Sequence, residues 1–319
     1  MGMLRPALGI ALLLAALPAA AQETRIAALN FAPEDRPFGT SLPALVAAIA
    51  ADPSGLRIQV VPGGALAPFR IANELRHRQI DIASIAPRYY RAIMPAADTL
   101  ELIERPPAEL RRNGGFDLLD RLHVEAMNAR LLAIFGLGAR YHIYQRERRI
   151  DRLSYENVKL LAPPTMIALA KKMGASLMQM PAGEIDEALE KGSIEGMIWP
   201  AWDVAPYGWA KRLKFRVEPG FNAAAWVILM NRASWDALST AHRDALARAA
   251  QAVEAADVQR TAQRDAEVRR AEEEAGVTTL RLGETDAATL VTAAHEVTWE
   301  ALGQIDRDNA RRLRTLLGK

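Results

Sequence analysis

Apolar positions along this chain recur with two periods, one of a strand and one of a helix, and the two alternate. Leu56 to Val61 (LRIQVV) predicts a strand, Pro62-Gly63-Gly64 a turn, 69–78 a helix, and 80–86 a second strand closed by Pro87. The stretch 158–200 repeats these syllables. Val158 to Ala162 predicts a strand stopped by Pro163-Pro164, and Thr165 is placed to cap a helix in which Ile167, Leu169, Ala170 and Met173 share a face. Gly174 ends that helix. A strand over 176–180, a helix over 182–191 and a strand over 194–199 follow, the last stopped by Pro200. Strand–helix–strand–helix–strand implies parallel pairing with right-handed crossovers. In both stretches a helical leucine (Leu75, Leu189) precedes by five residues an isoleucine that opens a strand and is followed by an acid, Ile80-Asp81 and Ile194-Glu195. They read as a weak duplication: two α/β lobes on one plan, with a crevice at the carboxyl ends of the strands.

The remaining pattern extends this plan. Strands are predicted over 24–31, 130–137, 140–145, 223–230 and 277–282, with a short one over 215–217. Helices are predicted over 41–51, 109–128 with a break at Gly114-Gly115, 286–305 and 307–317. From Ser239 to Gly276 the helical pattern is unbroken, about 50 Å of helix and longer than one lobe needs. Glu272, Glu273 and Glu274 oppose the helix dipole there, so its last turns are expected to fray. The segment 88–104 stays unassigned because Pro95 interrupts its periodicity.

Composition narrows the function. Half of the 319 residues are apolar and the formal net charge is +2, so a nucleic-acid or membrane-surface partner has no support. Cysteine is absent, which excludes disulfides, thiolate metal sites and cysteine nucleophiles. His77, His123, His142, His242 and His295 show no metal-binding spacing, and no catalytic motif stands in a fitting context; neither cofactor nor metal is expected. The N-terminus has the form of an export signal: a basic Met1–Arg5, an apolar core over 7–17 too short to span a bilayer, and small residues at 19–21. Cleavage is expected after Ala21, giving a periplasmic protein.

Three segments in this order resemble the substrate-binding proteins of tripartite (TRAP-type) transporters, in the dicarboxylate-receptor class. They are IDIASIAPRYY (80–90), GASLMQMPAGEIDEALEKGSIEG (174–196) and VILMNRASWDALS (227–239), the last leading into the long helix. The resemblance covers almost all of the mature chain. It implies a two-lobed periplasmic binding-protein fold of α/β class, with a hinge and a long lobe-spanning helix. By resemblance, 22–138 and 224–263 form one lobe, 139–223 and 264–319 the other. A monomer would close on a small organic solute and deliver it to membrane permease subunits. A sensory carrier that docks on a signalling partner, or a periplasmic enzyme, are the alternatives.

The resemblance also fixes where to look for the site. The family usually places an arginine in a strand of the form Lys-apolar-Arg-apolar-Pro, where it clamps a ligand carboxylate. This chain has Lys159-Leu160-Leu161-Ala162-Pro163, with Leu161 at the arginine's place, and Trp199 where the family often has a polar residue before Pro200. Both changes favour a solute with an apolar or aromatic body, its carboxylate held by Arg88 or Arg140 instead. Arg88, Tyr89 and Tyr90 follow a strand that aims them at the crevice. Arg140 is either a second ligand arginine or a surface residue, and Asn30 either faces the cleft or serves a turn. Trp199, Trp202, Tyr207 and Trp209 are either packing or ligand contacts; Trp226 and Trp235 read as core. Gly63 and Gly64 either present backbone N–H groups to an anion or make a turn. The expected ligand-binding set is Asn30, Arg88, Tyr89, Arg140, Leu161, Trp199 and Trp202.

Overall fold

A computed structural model describes residues 24–61 and 66–318. The leader and Gly63-Gly64 lie outside the described residues. In chain order the first part comprises β1 (Thr24–Asn30), α1 (Ser41–Ala51), β2 (Leu56–Val61), α2 (Pro68–Arg76), β3 (Ile82–Ile85), α3 (Pro107–Asn113), α4 (Gly115–Met127) and β4 (Ala129–Phe135). The middle comprises β5 (Arg140–Gln145), β6 (Lys159–Leu161), α5 (Ile167–Lys172), β7 (Ser176–Met178), α6 (Ile185–Lys191), β8 (Gly196–Pro200), α7 (Ala201–Val204) and β9 (Phe215–Ala223). The last part comprises β10 (Trp226–Asn231), α8 (Arg232–Asp236), α9 (Thr240–Glu274), β11 (Thr278–Arg281), α10 (Glu284–Ile305) and α11 (Arg307–Leu317).

The strands form two sheets, ordered β2-β1-β3-β10-β4 and β11-β9-β5-β8-β6-β7. The chain leaves the first sheet after β4 and returns between β9 and β10, so two crossings and α9 join the halves. The predicted parallel pairings form: β1 with β2 and β3, and β6 with β7 and β8.

The duplication extends to single hydrogen bonds. In the first sheet the Asp81 N–H donates to the Ala27 carbonyl, and the Asp81 carboxylate accepts the Ala27 N–H at 2.8 Å. In the second, the Glu195 N–H donates to the Lys159 carbonyl and its carboxylate accepts the Lys159 N–H at 3.0 Å. Each acid after the isoleucine thus ties one strand to its parallel neighbour, which explains why both stretches need an acid there.

Helix α9 does not fray. Its apolar content is mostly alanine, and what holds it is a row of buried or half-buried acids. Glu254 takes a bidentate bond from Arg111 and the Ile134 N–H; Asp257 takes the Gly136 N–H at 2.7 Å. Further on, Asp265 takes the Trp202 indole N–H at 2.7 Å, and Glu272 takes the Tyr144 hydroxyl at 2.7 Å and the Arg216 guanidinium. Positions 254 and 257 bind the first sheet and the crossing; 265 and 272 bind the second half. Partners fix Glu272 more strongly than the helix dipole repels it, so the helix runs to Glu274.

Four expectations change. The unassigned 88–104 contains two 3-10 helices, Pro87–Tyr89 and Pro95–Leu102, the second buried along its length. The predicted strand over 223–230 divides, Ala223 ending β9 and Trp226 opening β10. β9 itself is nine residues long and passes through Pro219-Gly220, tolerated where its register with β5 slips. Thr165 does not cap a helix, because Pro163-Pro164 start a 3-10 turn that places it inside the turn. Among the described residues no helix is long and apolar enough to cross a membrane.

Candidate ligand site between the lobes

Arg88 follows β3 in the 3-10 turn that Pro87 opens. Its side chain is drawn into the space between the sheets and is 5% exposed. It lies over the rings of Tyr89 and Trp226, 5.0 and 5.7 Å from their centroids, and Nη1 reaches the Tyr141 hydroxyl at 3.4 Å. Tyr141 belongs to β5, so this contact crosses from one sheet to the other. Tyr141 donates in turn to Glu101 Oε1 at 2.8 Å, back in the first half.

Two carboxyl groups share the guanidinium's field. Glu101, in the second 3-10 helix, is 1% exposed, and Asp203, in α7, is 7% exposed. Burial pushes Glu101 up to about 7 against the pull of Arg88, and pushes Asp203 up to about 6 against the same pull. Burial opposes the charge on Arg88, yet the fields of Tyr141, Tyr89, Glu101 and Asp203 together hold it above the ordinary arginine range. Among the described residues, none of these three charged groups forms an ion pair with another side chain.

Among the described residues, these buried polar atoms have no well-formed hydrogen bond: Asn30 Oδ1, Ser84 Oγ, Glu101 Oε2, Thr165 Oγ1, and the indole nitrogens of Trp199 and Trp226. Thr165 and Trp199 sit close enough to Glu101 and Asp203 to favour their carboxylates, but outside good bonding geometry. Unsatisfied buried groups cost about 1–3 kcal/mol each, and six here belong to the carboxyl ends of the strands or the segments beside them. Among the described residues, no group of His, Asp and Glu is placed to hold a metal ion.

The halves meet above this cluster. Arg36 donates to the Pro206 carbonyl and lies 4.7 Å over the Tyr207 ring, which stacks on Trp209. Phe38 stacks on Trp202 and on Trp226 at 5.7 and 5.3 Å. Asn30 Nδ2 holds the Gly39 carbonyl at 2.7 Å and so fixes the loop that carries Arg36 and Phe38. That is the turn role; its Oδ1 stays without a partner.

The expected residues separate into two groups. Arg88, Tyr89 and Trp199 belong to this region. Leu161, 3% exposed, packs in the apolar cluster of the second half against which Trp199 rests. Trp202 is fully buried, its N–H committed to Asp265 and its ring to Phe38. Arg140 lines a different cavity of about 150 Å³, with His142, Arg216, Glu218 and Asp265. Adjacent strand residues face opposite ways, so Tyr141 rather than Arg140 meets Arg88; a register slip between the two, opposite β9, adds to the divergence. Reading the sequence missed Tyr141, Glu101, Asp203 and Trp226. An acid inside the apolar run TLELI was the available signal for Glu101. Trp235, read as core, is only partly buried beneath Arg130.

Replacing Glu101 with glutamine checks its charge. A carboxyl raised in the folded state contributes stability at low pH that is lost as pH rises through its folded value, here about 7. The unfolded reference is 4.5, so the penalty above pH 7 is on the order of 3 kcal/mol. Glu101→Gln keeps an acceptor for Tyr141. Thermal melts should find it more stable than wild type near pH 8 and equal near pH 5.

Two sheets bridged by two crossings and one long helix, with buried charges between them, make a two-lobed α/β fold. The chain belongs to the DctP family, bacterial extracellular solute-binding protein family 7, which its residues 122–304 match. It is a receptor rather than an enzyme. Its fold is that of a TRAP periplasmic solute-binding protein from Desulfovibrio salexigens with bound orotic acid (TM-score 0.80, 16% identity, 92% of this chain and 97% of that one). A second, from Desulfovibrio desulfuricans with bound sn-glycerol-3-phosphate, gives TM-score 0.79 at 20% identity over 91% and 97%. A Bordetella pertussis extracytoplasmic solute receptor binding pyroglutamic acid gives 0.79 at 13% over 92% and 99%.

Proposed function

We propose that this chain is the solute receptor of a TRAP transporter, exported after cleavage at Ala21, and that it closes on a small organic acid with an apolar or aromatic body. The observation that carries the reading is Arg88: a buried guanidinium between the halves, held among the described residues by Tyr141 and aromatic faces. A carboxylate offers it the paired, charge-assisted hydrogen bonds it lacks. Orotate and pyroglutamate, which the cited relatives bind, are acids of this size. Trp199 and Trp226 supply the apolar wall, with Leu161 packed behind Trp199, worth about 25 cal/mol per Å² of solute surface removed from water. The lobes are 22–138 with 224–263, and 139–223 with 264–319, and the closed receptor presents its solute to membrane permease subunits.

Small-angle scattering tests the closure. An organic acid that binds should reduce the radius of gyration, and Arg36→Ala, which removes the contacts to Pro206 and Tyr207, should shift the liganded protein back toward the larger value. A radius unchanged by a bound solute contradicts a closing receptor.

A further inference from the structure

The charges around Arg88 do not balance. One guanidinium faces two carboxyl groups, all three more than nine-tenths buried and none in an ion pair with another side chain among the described residues. The neighbouring charges do not repair this. Arg91 is committed to Asp98 through a bidentate pair, and Asp98 adds negative field at Glu101. Arg36 reaches Asp203 only through its field, while its side chain is shared between Asp35, the Pro206 carbonyl and Tyr207. Burial raises the Tyr141 and Tyr207 hydroxyls and keeps them neutral, and Thr165 and Trp199 carry no charge. A simple carboxylate on Arg88 would bring a third negative group to a single cation.

We propose that the solute is a zwitterion, an α-amino acid with an apolar or aromatic side chain, whose carboxylate binds Arg88 and whose ammonium binds the carboxylates of Glu101 and Asp203. This rests on the reading that Arg88 holds an organic acid. Two positive and three negative groups then meet in one buried space, and each charge has an opposite neighbour. The unpartnered atoms fit both ends. The indole N–H of Trp226, beside Arg88, is a donor for a carboxylate, and Glu101 Oε2 is an acceptor for an ammonium. Burial raises both carboxyls toward neutrality, and an ammonium would hold them ionised where a simple anion would force them to take up protons.

The test is titration calorimetry on the full mature chain, stripped of co-purified solute. The probes are phenylalanine, leucine and tryptophan in both enantiomers, the deaminated acids 3-phenylpropanoate and 4-methylpentanoate, and succinate. At least one amino acid should bind about tenfold or more tighter than its deaminated analogue, about 1.4 kcal/mol per decade. Glu101→Gln and Asp203→Asn should each weaken the amino acid by a similar factor and leave the deaminated acid unchanged or tighter, a result that loss of fold would not give. Equal or tighter binding of the deaminated acids overturns the zwitterion while leaving the organic-acid reading intact, and so does failure of every amino acid while a deaminated acid binds. Binding of succinate alone overturns both. Binding of no probe at all overturns the zwitterion.

Discussion

Arg88→Ala should raise the Kd of the cognate solute by about 100-fold or more. Each charge-assisted hydrogen bond to a carboxylate is worth roughly 1.5–3 kcal/mol, and two of them act together in a site that excludes water. The unliganded protein should behave differently. Its Arg88 makes one long hydrogen bond, to Tyr141, and no ion pair among the described residues, so the packing lost against Tyr89 and Trp226 is offset by relief of a buried charge. Glu101 and Asp203, already raised by burial, can take up protons when the cation is gone. Calorimetry and thermal melting should therefore separate: binding lost, melting temperature within a few degrees of wild type. A variant that unfolds, or one that binds normally, would show that Arg88 serves the fold instead.

The opposite pairing of effects is expected at Glu272→Ala. Glu272 is buried near the end of α9, where it accepts from Tyr144 and from Arg216, itself almost fully buried. Truncation leaves a guanidinium and a phenol in the interior with Glu218 as the remaining acid partner of Arg216. Removing one partner of a buried pair typically costs about 3–5 kcal/mol. Denaturant unfolding should show a loss of that size, and solute affinity measured well below the transition should change little, because Glu272 lies away from Arg88. A loss under about 1 kcal/mol would mean that α9 is held mainly by its alanine face.

These two residues mark what the sequence could and could not tell. The repeat was legible because its signal is local: a leucine, an isoleucine five residues on and an acid directly after it, and the acids prove to tie paired strands together. The long helix was legible from its unbroken periodicity. Glu272 was misread because a run of three glutamates looks like a solvated helix end; its partners, Tyr144 and Arg216, are 128 and 56 residues away. In the site, Arg88 was legible from topology, since the carboxyl end of a parallel strand faces the crevice. Tyr141 was hidden by its neighbour: arginine was the expected ligand type at that strand, but residue 141 faces Arg88 where residue 140 does not. Glu101 and Asp203 were hidden because their segments are short 3-10 and helical turns with no period to read. Trp226 looked like core, and it is core by burial; its indole nitrogen without a partner is what sets it apart.

The position of the solute's carboxylate decides whether Arg88 is the ligand clamp. A crystal structure of the receptor with its tightest-binding organic acid measures this directly. The predicted result is two N–H···O bonds of about 2.7–2.9 Å from Arg88 to the carboxylate, with the solute's body against Trp199 and Trp226 and the halves closed over it. A solute lodged in the Arg140 cavity, or one between the halves with no contact to Arg88, would contradict it.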